Sequence, residues 1–259
     1  MLVEPIQGKG VHIPPAGFLR AAHALLREHG ALLIADEVQT GLGRTARWFA
    51  YEHEDVQPDI VTVAKALSGG LVPVGATLAR AGIFERVYSS LDRVFVHAST
   101  FAGNALAMAA GLATLTVLED EELIANAAAR GAELMTGLTT LAGAHPAIAE
   151  VRGRGLMIGI EFGKPRSVRG KALWTTLNAA RPGLFAQLVV VPLFTEHRVL
   201  TQVAGDRMAV IKLLPPLTLT SEDVSEFLTA FTAVMQTAEA PSGLALDFGK
   251  TLIKQALTR

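Results

Sequence analysis

Two short apolar runs in this sequence each lead into a charged residue. Residues 31–35 are all apolar and precede Asp36, and residues 60–64 are mostly apolar and precede Lys65. Runs of this length and composition predict buried strands of a largely parallel sheet. The carboxyl ends of parallel strands lie at one edge of the sheet, and ligands of α/β proteins bind there. The pattern therefore predicts an α/β fold that places a carboxylate and an amine at one ligand-binding edge.

The rest of the chain alternates between helical and strand patterns, which fits an α/β domain followed by a smaller α+β domain. In the predicted helix over 221–236, Ser221 is the expected N-cap. The predicted helices are 18–29, 104–141 with a break near Asp120, 171–180 and 221–236, and the predicted strands are 31–35, 59–64, 73–79, 151–162, 188–191 and 208–213.

The change of pattern predicts two domains. Residues 1–135 form the larger one, and residues 136–259 form the smaller one with an appended helix over 244–257. The boundary is expected inside the long helical stretch, near residue 135.

Composition excludes several classes of function. The chain has 259 residues, a net charge of −1 and 18% charged residues, with no basic stripe, so nucleic acid is not expected as a partner. It has no cysteine, and no apolar run is long enough to span a membrane, which predicts a cytoplasmic protein. Its seven histidines lack metal-site spacing, so no metal centre is expected.

Lys65 is the residue with the most suggestive chemistry. A lysine at the edge of an apolar core loses part of its hydration and becomes a better nucleophile, as a Schiff-base enzyme requires. The alternative is a strand-end lysine that extends into water. For Asp36 the alternative to a functional role is a helix or turn cap.

Several motifs, taken in order, resemble the class III aminotransferases of the ornithine, acetylornithine and 4-aminobutyrate type. These are enzymes of fold type I that use pyridoxal 5′-phosphate (PLP). The resemblance covers roughly residues 3–235 and rests on Val3-Glu-Pro-Ile-Gln-Gly8, the segments 34–45 and 58–70, Ser99-Thr-Phe-Ala-Gly-Asn104 and Pro215-Pro-Leu217.

The resemblance implies a role for each matching residue. Lys65 forms the Schiff base with the cofactor and then carries the proton, and Asp36 keeps the pyridine nitrogen protonated. Val38 packs under the ring, and Gln39 bonds to its phenolic oxygen; the alternatives are a core valine and an exposed loop amide.

Two hydroxyl residues are implied to bind phosphate. Thr100 matches a threonine that reaches the cofactor phosphate of a neighbouring subunit, with Ser99 beside it, so the resemblance implies a homodimer. Both residues precede a predicted helix start, where an anion is favoured, although simple N-capping would use the same residues.

The chain departs from the family in two places. Family members carry well over a hundred residues before the Glu4 motif, so loss of part of the cofactor cradle is expected. Many members also bind a substrate carboxylate with an arginine where this chain has Lys212, and ornithine-type members mask it with a glutamate where this chain has Lys9. Lysine keeps the charge but lacks the planar fork of arginine. Glu4, Lys9 and Lys212 are therefore candidate substrate residues, with solvated surface lysines as the alternative for the last two.

The resemblance predicts a PLP-dependent aminotransferase that acts on small molecules. It would move an amino group from an amine or amino acid to a keto acid or aldehyde. Aminomutase or racemase chemistry on the same lysine and aspartate is one alternative, and a non-catalytic fragment that cannot retain PLP is another.

Overall fold

The computed structural model describes residues 1–97, 99–165 and 168–239, which form two compact units. Unit 1 comprises Met1–Ile6 and Ile13–Ala125, and unit 2 comprises Gln7–His12 and the chain from Asn126 onward. The helix Leu123–Ala144 contains both this division and the boundary near residue 135 that the sequence predicts. The predicted helix over 244–257 lies outside the described residues.

Unit 1 is built on a mixed sheet. Within the described residues its strands follow the order β1-β2-β3-β4, in which β1, β2 and β3 are parallel and β4 is antiparallel to β3. The predicted, largely parallel sheet is therefore confirmed. Its elements are β1 (Leu2–Val3), α1 (Phe18–Glu28), β2 (Ile34–Asp36), β3 (Ile60–Val63), β4 (Ala76–Ala79), α2 (Ala81–Val87) and α3 (Ala105–Asp120), with 3₁₀-helical turns at Ala50–Glu54, Lys65–Ser68 and Leu91–Arg93.

The central strands of unit 1 form because their β-branched residues suit a half-buried pleated surface. Along β3 the buried residues alternate with half-buried ones, and Val61 and Val63 pack with Ala35 of β2. Helix α1 begins at Phe18, and the Glu54 carboxylate accepts hydrogen bonds from amides of its first turn. The backbone pairing and the packing of Val61 and Val63 with Ala35 hold β2 beside β3, and the carboxyl ends of these strands carry the candidate site.

Unit 2 contains an antiparallel sheet covered by helices. Among its described residues the strand order is β5-β6-β8-β7. Its core includes Ile158 and Ile160 from the sheet and Phe231 and Met235 from the last helix that the structure describes. Its elements are α4 (Leu123–Ala144), β5 (Ile148–Arg154), β6 (Met157–Phe162), α5 (Val168–Ala180), α6 (Leu184–Thr195), β7 (Gln202–Val203), β8 (Val210–Leu213) and α7 (Ser221–Glu239).

Three details of unit 2 differ from the sequence-based prediction. The segment 151–162 is not one strand: it folds back at Gly155, whose φ of 54° suits a tight turn, and so divides between β5 and β6. The strand predicted over 188–191 is wrong, because these residues lie inside the buried helix α6. The N-cap of α7 is Thr220 rather than Ser221, since Thr220 and Asp223 exchange backbone-to-side-chain hydrogen bonds.

No single helix of the described chain is long and apolar enough to cross a membrane. The bent pair Gly170–Ala179 and Leu184–Thr195 meets that test of length and composition only when its two helices are taken together.

Candidate active site

Asp36 is the last residue of β2 and lies at the carboxyl end of the parallel sheet. Its Oδ1 accepts hydrogen bonds from the backbone amide of Val38 at 3.1 Å and from the Thr62 hydroxyl at 3.2 Å. The first bond is a local turn contact, as expected if Asp36 served only as a turn cap. The second comes from the neighbouring strand, so the carboxylate is fixed by the sheet as well as by its own turn.

Lys65 lies two residues after the end of β3 and opens a 3₁₀-helical turn that ends at Ser68. Thr62 of β3 is the register partner of Asp36, so Lys65 emerges at the same sheet edge as the aspartate. Its φ is 47°, a left-handed conformation that is uncommon outside glycine. Backbone strain of this kind concentrates at functional sites.

The surroundings of Lys65 differ from the sequence-based expectation in one respect. The side chain is exposed and is not enclosed at the edge of the apolar core. Within unit 1 the Lys65 side chain therefore keeps its hydration, contrary to the expectation for a lysine at the edge of a core. Small molecules in solution can reach its amine.

Glu37 is a buried carboxylate that the sequence analysis did not single out. Its side chain bonds to Thr40, which ends the loop that carries Val38 and Gln39, and the residue is 1% exposed. Oε2 accepts a hydrogen bond from the Thr40 hydroxyl, and Oε1 accepts one from the Tyr51 amide at 2.9 Å. The spacing of Glu37 and Thr40, which suits a bond across one turn, is the signal that could have identified it.

The loop after Glu37 is packed closely against that residue. The amide of Gly41 donates to the Glu37 carbonyl at 2.9 Å, and a Cβ at Gly41 would lie 2.9 Å from the same oxygen. Glycine is therefore required there by close backbone approach. Val38 and Gln39, the two residues predicted to contact a cofactor ring, are half-buried in this loop. Glu37 thus positions both of them.

Burial shifts the pKa of two groups in this loop. It raises the pKa of the Glu37 carboxyl above its ordinary value of 4.5, and the hydrogen bonds from Thr40 and the backbone offset part of that rise. Burial also lowers the pKa of the Arg44 guanidinium to about 10. Ionising Glu37 therefore opposes folding.

We expect this opposition to appear as pH-dependent stability. A raised pKa in the folded state means that the folded chain binds more protons than the unfolded chain, so stability falls as pH rises above 4.5 towards the raised pKa of Glu37. The amide of Glu37→Gln can still pair with Thr40 and Tyr51 but does not ionise. In this variant the part of the pH dependence of the unfolding free energy that Glu37 causes should vanish. Urea unfolding measured from pH 4 to 8 tests this, with the exposed Glu28→Gln as control; equal slopes in wild type and Glu37→Gln would contradict it.

Ser99 and Thr100 are exposed and lie before α3. They do not cap this helix: the Asn104 side chain accepts the hydrogen bond from the Ala107 amide at 2.9 Å. The N-capping alternative for Ser99 and Thr100 is therefore wrong. Their phosphate-binding role stays a prediction.

The three candidate substrate residues divide between the units. Glu4 follows β1 in unit 1 and is half-buried, whereas Lys9 and Lys212 belong to unit 2. Lys9 is exposed. Lys212 is half-buried and its Nζ donates to the Gly8 carbonyl at 3.0 Å, so it is not the solvated surface lysine of the alternative.

Lys212 also lines a cavity of unit 2 that has a volume of about 700 Å³. The walls are mainly apolar and include Val199, Leu214 and Phe227, with Asp223 and Glu226 as acidic members. No group of acidic and histidine side chains in the described chain is arranged to hold a metal ion.

The structure thus brings Asp36, Val38, Gln39 and Lys65 to one region of unit 1. The Asp36 carboxylate is fixed at the end of β2, and the Lys65 amine is exposed after the end of β3. Together they are suited to bind an aromatic nitrogen heterocycle that carries an aldehyde. The carboxylate would hold a proton on the ring nitrogen, and the amine would react with the carbonyl.

Comparison with known proteins supports this chemistry. The sequence profile of the family described as "Aminotransferase class-III" matches residues 1–235. Aminotransferase PigE of Serratia sp. (strain ATCC 39006) is 35% identical over 90% of this chain and 31% of its own length.

Solved structures agree. The ornithine aminotransferase of Toxoplasma gondii, described with partial occupancy of PLP at its active site, is 37% identical, covers 92% of this chain and 51% of its own, and has a TM-score of 0.78. The acetylornithine aminotransferase of Elizabethkingia anophelis is 36% identical, covers 91% of this chain and 53% of its own, and has a TM-score of 0.74.

The chain spans about half the length of these solved structures. Over that half it shares their α/β fold, and the family match extends from the β1 motif to the last described helix. The chain belongs to the class-III aminotransferase family.

Proposed function

We propose that this protein takes part in PLP-dependent transamination, in which an amine or amino acid donates its amino group to a keto acid or aldehyde. The observation that carries the proposal is the placement of Asp36 and Lys65 at the carboxyl ends of two adjacent parallel strands, in a chain of the class-III family.

The residues present fit the cofactor. PLP supplies an aldehyde that condenses with amines and a pyridine ring that, once protonated, withdraws electrons from the substrate. The Asp36 carboxylate is fixed through Oδ1 and is suited to hold the proton on a ring nitrogen. Val38 and Gln39 lie in the adjoining loop, where one offers an apolar surface and the other an amide.

Lys65 is proposed to have two roles. Its exposed amine is the nucleophile that attaches the cofactor to the chain. The same Nζ would also be placed to take the proton from the α-carbon of a bound substrate. An exposed position at the start of a turn leaves the side chain room for both.

We further propose that the active form is a homodimer in which Ser99 and Thr100 bind phosphate in the neighbouring site. Support comes from apolar side chains left exposed around these residues: Phe95 is 86% and Phe101 is 79% exposed. Exposed apolar patches of this kind mark interaction surfaces. Dimerisation would place them against a second chain.

The proposal is tested by adding PLP to the full chain and treating the product with borohydride. We expect visible absorbance, a mass increase of one reduced cofactor per chain, and a labelled peptide that contains Lys65. Light scattering in parallel should report two chains per particle. A colourless protein that takes up no cofactor would contradict the proposal and would support the non-catalytic alternative.

A further inference from the structure

Three residues form a row across the sheet of unit 2. Arg152 on β5 is the register partner of Gly159 on β6, and Gly159 is the register partner of Lys212 on β8. Register partners in antiparallel strands project from the same face of the sheet. The row therefore presents a guanidinium and an ammonium on one face, with a gap between them where glycine has no side chain.

The Gln7–His12 turn occupies this face through its carbonyl oxygens. Arg152 donates from Nη2 to the Gly10 carbonyl at 2.8 Å and from Nε to the Val11 carbonyl at 2.9 Å. Lys212 donates from Nζ to the Gly8 carbonyl at 3.0 Å. Two cations thus hold three carbonyls of one turn.

The gap above Gly159 is filled by Val11. This valine is 0% exposed, and a Cβ at Gly159 would lie 3.1 Å from the Val11 Cβ. Val11 has a φ of 53°, which is rare for a β-branched residue and persists only where the surroundings enforce it. The packing against Gly159 and the bond from Arg152 supply that enforcement.

From this arrangement we infer that Lys212 is a positioning residue, which holds the Gln7–His12 turn in place and does not serve as the receptor for a substrate carboxylate. The inference rests on the proposed function, because it concerns how that reaction selects its amine. Its consequence is that donors with and without a carboxylate depend on Lys212 to the same degree.

A carboxylate receptor is the rival role. Lys212 lines the 700 Å³ cavity of unit 2, and an ammonium there could pair with an anion. The two roles differ in what removal of the ammonium does. Loss of a turn anchor loosens the backbone of the turn, whereas loss of a receptor weakens only carboxylate-bearing substrates.

The decisive measurement is amide hydrogen exchange in the full-length Lys212→Met variant. The Gln7 amide donates to the His12 carbonyl at 3.0 Å and closes the turn, so its exchange reports the integrity of the turn. We expect exchange at Gln7 to become about tenfold faster or more, since hydrogen bonds from charged groups are stronger than neutral ones. Unchanged exchange would overturn the inference.

Lys9→Met is the matched control. It removes a lysine charge from the turn itself, and methionine can keep the packing of the Lys9 stem against Gly205. Exchange at Gln7 should stay within about twofold of wild type in this variant. Equal acceleration in both variants would show a general effect of charge and would also overturn the anchor role of Lys212.

Kinetics with ornithine and putrescine, which differ by one carboxylate, supply the second readout. In Lys212→Met we expect the ratio of kcat/KM for the two amines to change by less than about threefold. A fall of about tenfold or more for ornithine alone would identify a carboxylate receptor. If neither amine reacts even with wild type, the exchange at Gln7 still decides the role of Lys212.

Discussion

Replacing Lys65 with alanine is expected to abolish covalent capture of PLP and to lower transamination turnover by about 10²-fold or more. The amine is both nucleophile and proton carrier in the proposed reaction, and alanine is neither. The fold should persist, because Lys65 is exposed and both residues carry a Cβ at the same φ of 47°. Turnover, visible absorbance and the mass of the borohydride-treated protein measure the effect.

Two further variants make the Lys65 result specific. Lys65→Arg keeps a cation but cannot lose its proton, so it should behave like the alanine variant. Lys164→Ala removes an exposed lysine from another part of the chain and should capture PLP as wild type does. Full turnover by Lys65→Ala would refute the assignment of this residue.

Replacing Asp36 with asparagine should reduce turnover by about 100-fold while leaving stability nearly unchanged. If the carboxylate raises the pKa of the ring nitrogen by about two units, its removal changes the free energy by about 2.7 kcal/mol. A free energy of this size corresponds to about 100-fold in rate. Asparagine keeps an Oδ1 that can accept from the Val38 amide and the Thr62 hydroxyl, so the local structure is retained. The measurement is turnover at saturating PLP together with urea unfolding.

Thr62→Val separates charge from position at the same site. It removes one hydrogen bond to Asp36 but leaves the carboxylate, and we expect its turnover to fall far less than that of Asp36→Asn. If PLP-loaded Asp36→Asn worked at a rate near wild type, the carboxylate would not be needed on the ring nitrogen.

The sheet edge was predictable from local patterns. Short apolar runs before Asp36 and Lys65 predicted parallel strands, and the pairing of β2 with β3 confirms the parallel arrangement. A helix such as α1 was predictable as well, because its apolar residues recur on one face and glycines lie at both ends.

Helix α6 shows where local patterns are insufficient. Its Val189-Val-Val191 run has strong strand preference, yet the segment is buried on several sides and forms a helix that contains Pro192. Periodicity cannot distinguish a short, fully buried helix from a buried strand. Tertiary packing around Phe185 and Leu193 decides the outcome.

Glu37 and the Gln7–His12 turn were missed for a different reason. The partners of Glu37 include the Tyr51 amide, and those of the turn include Arg152 and Lys212, so both sites depend on residues distant in sequence. Nothing near position 8 indicates that its carbonyl will meet an ammonium. Such pairings become visible only when the strands that carry the partners are placed side by side.

Residues 7–12 leave the ribosome long before the residues that hold them. The Val11 carbonyl accepts from Arg152, which comes 141 positions later in the chain, and the Gly8 carbonyl accepts from Lys212, which comes 204 positions later. Closing such long loops is entropically costly and slow, so the turn docks late in folding. A fragment cut at Asn126 would lack Val11 and leave Gly159 uncovered. Unit 2 therefore cannot be excised as one continuous segment, and any dissection of this chain has to carry residues 7–12 with it.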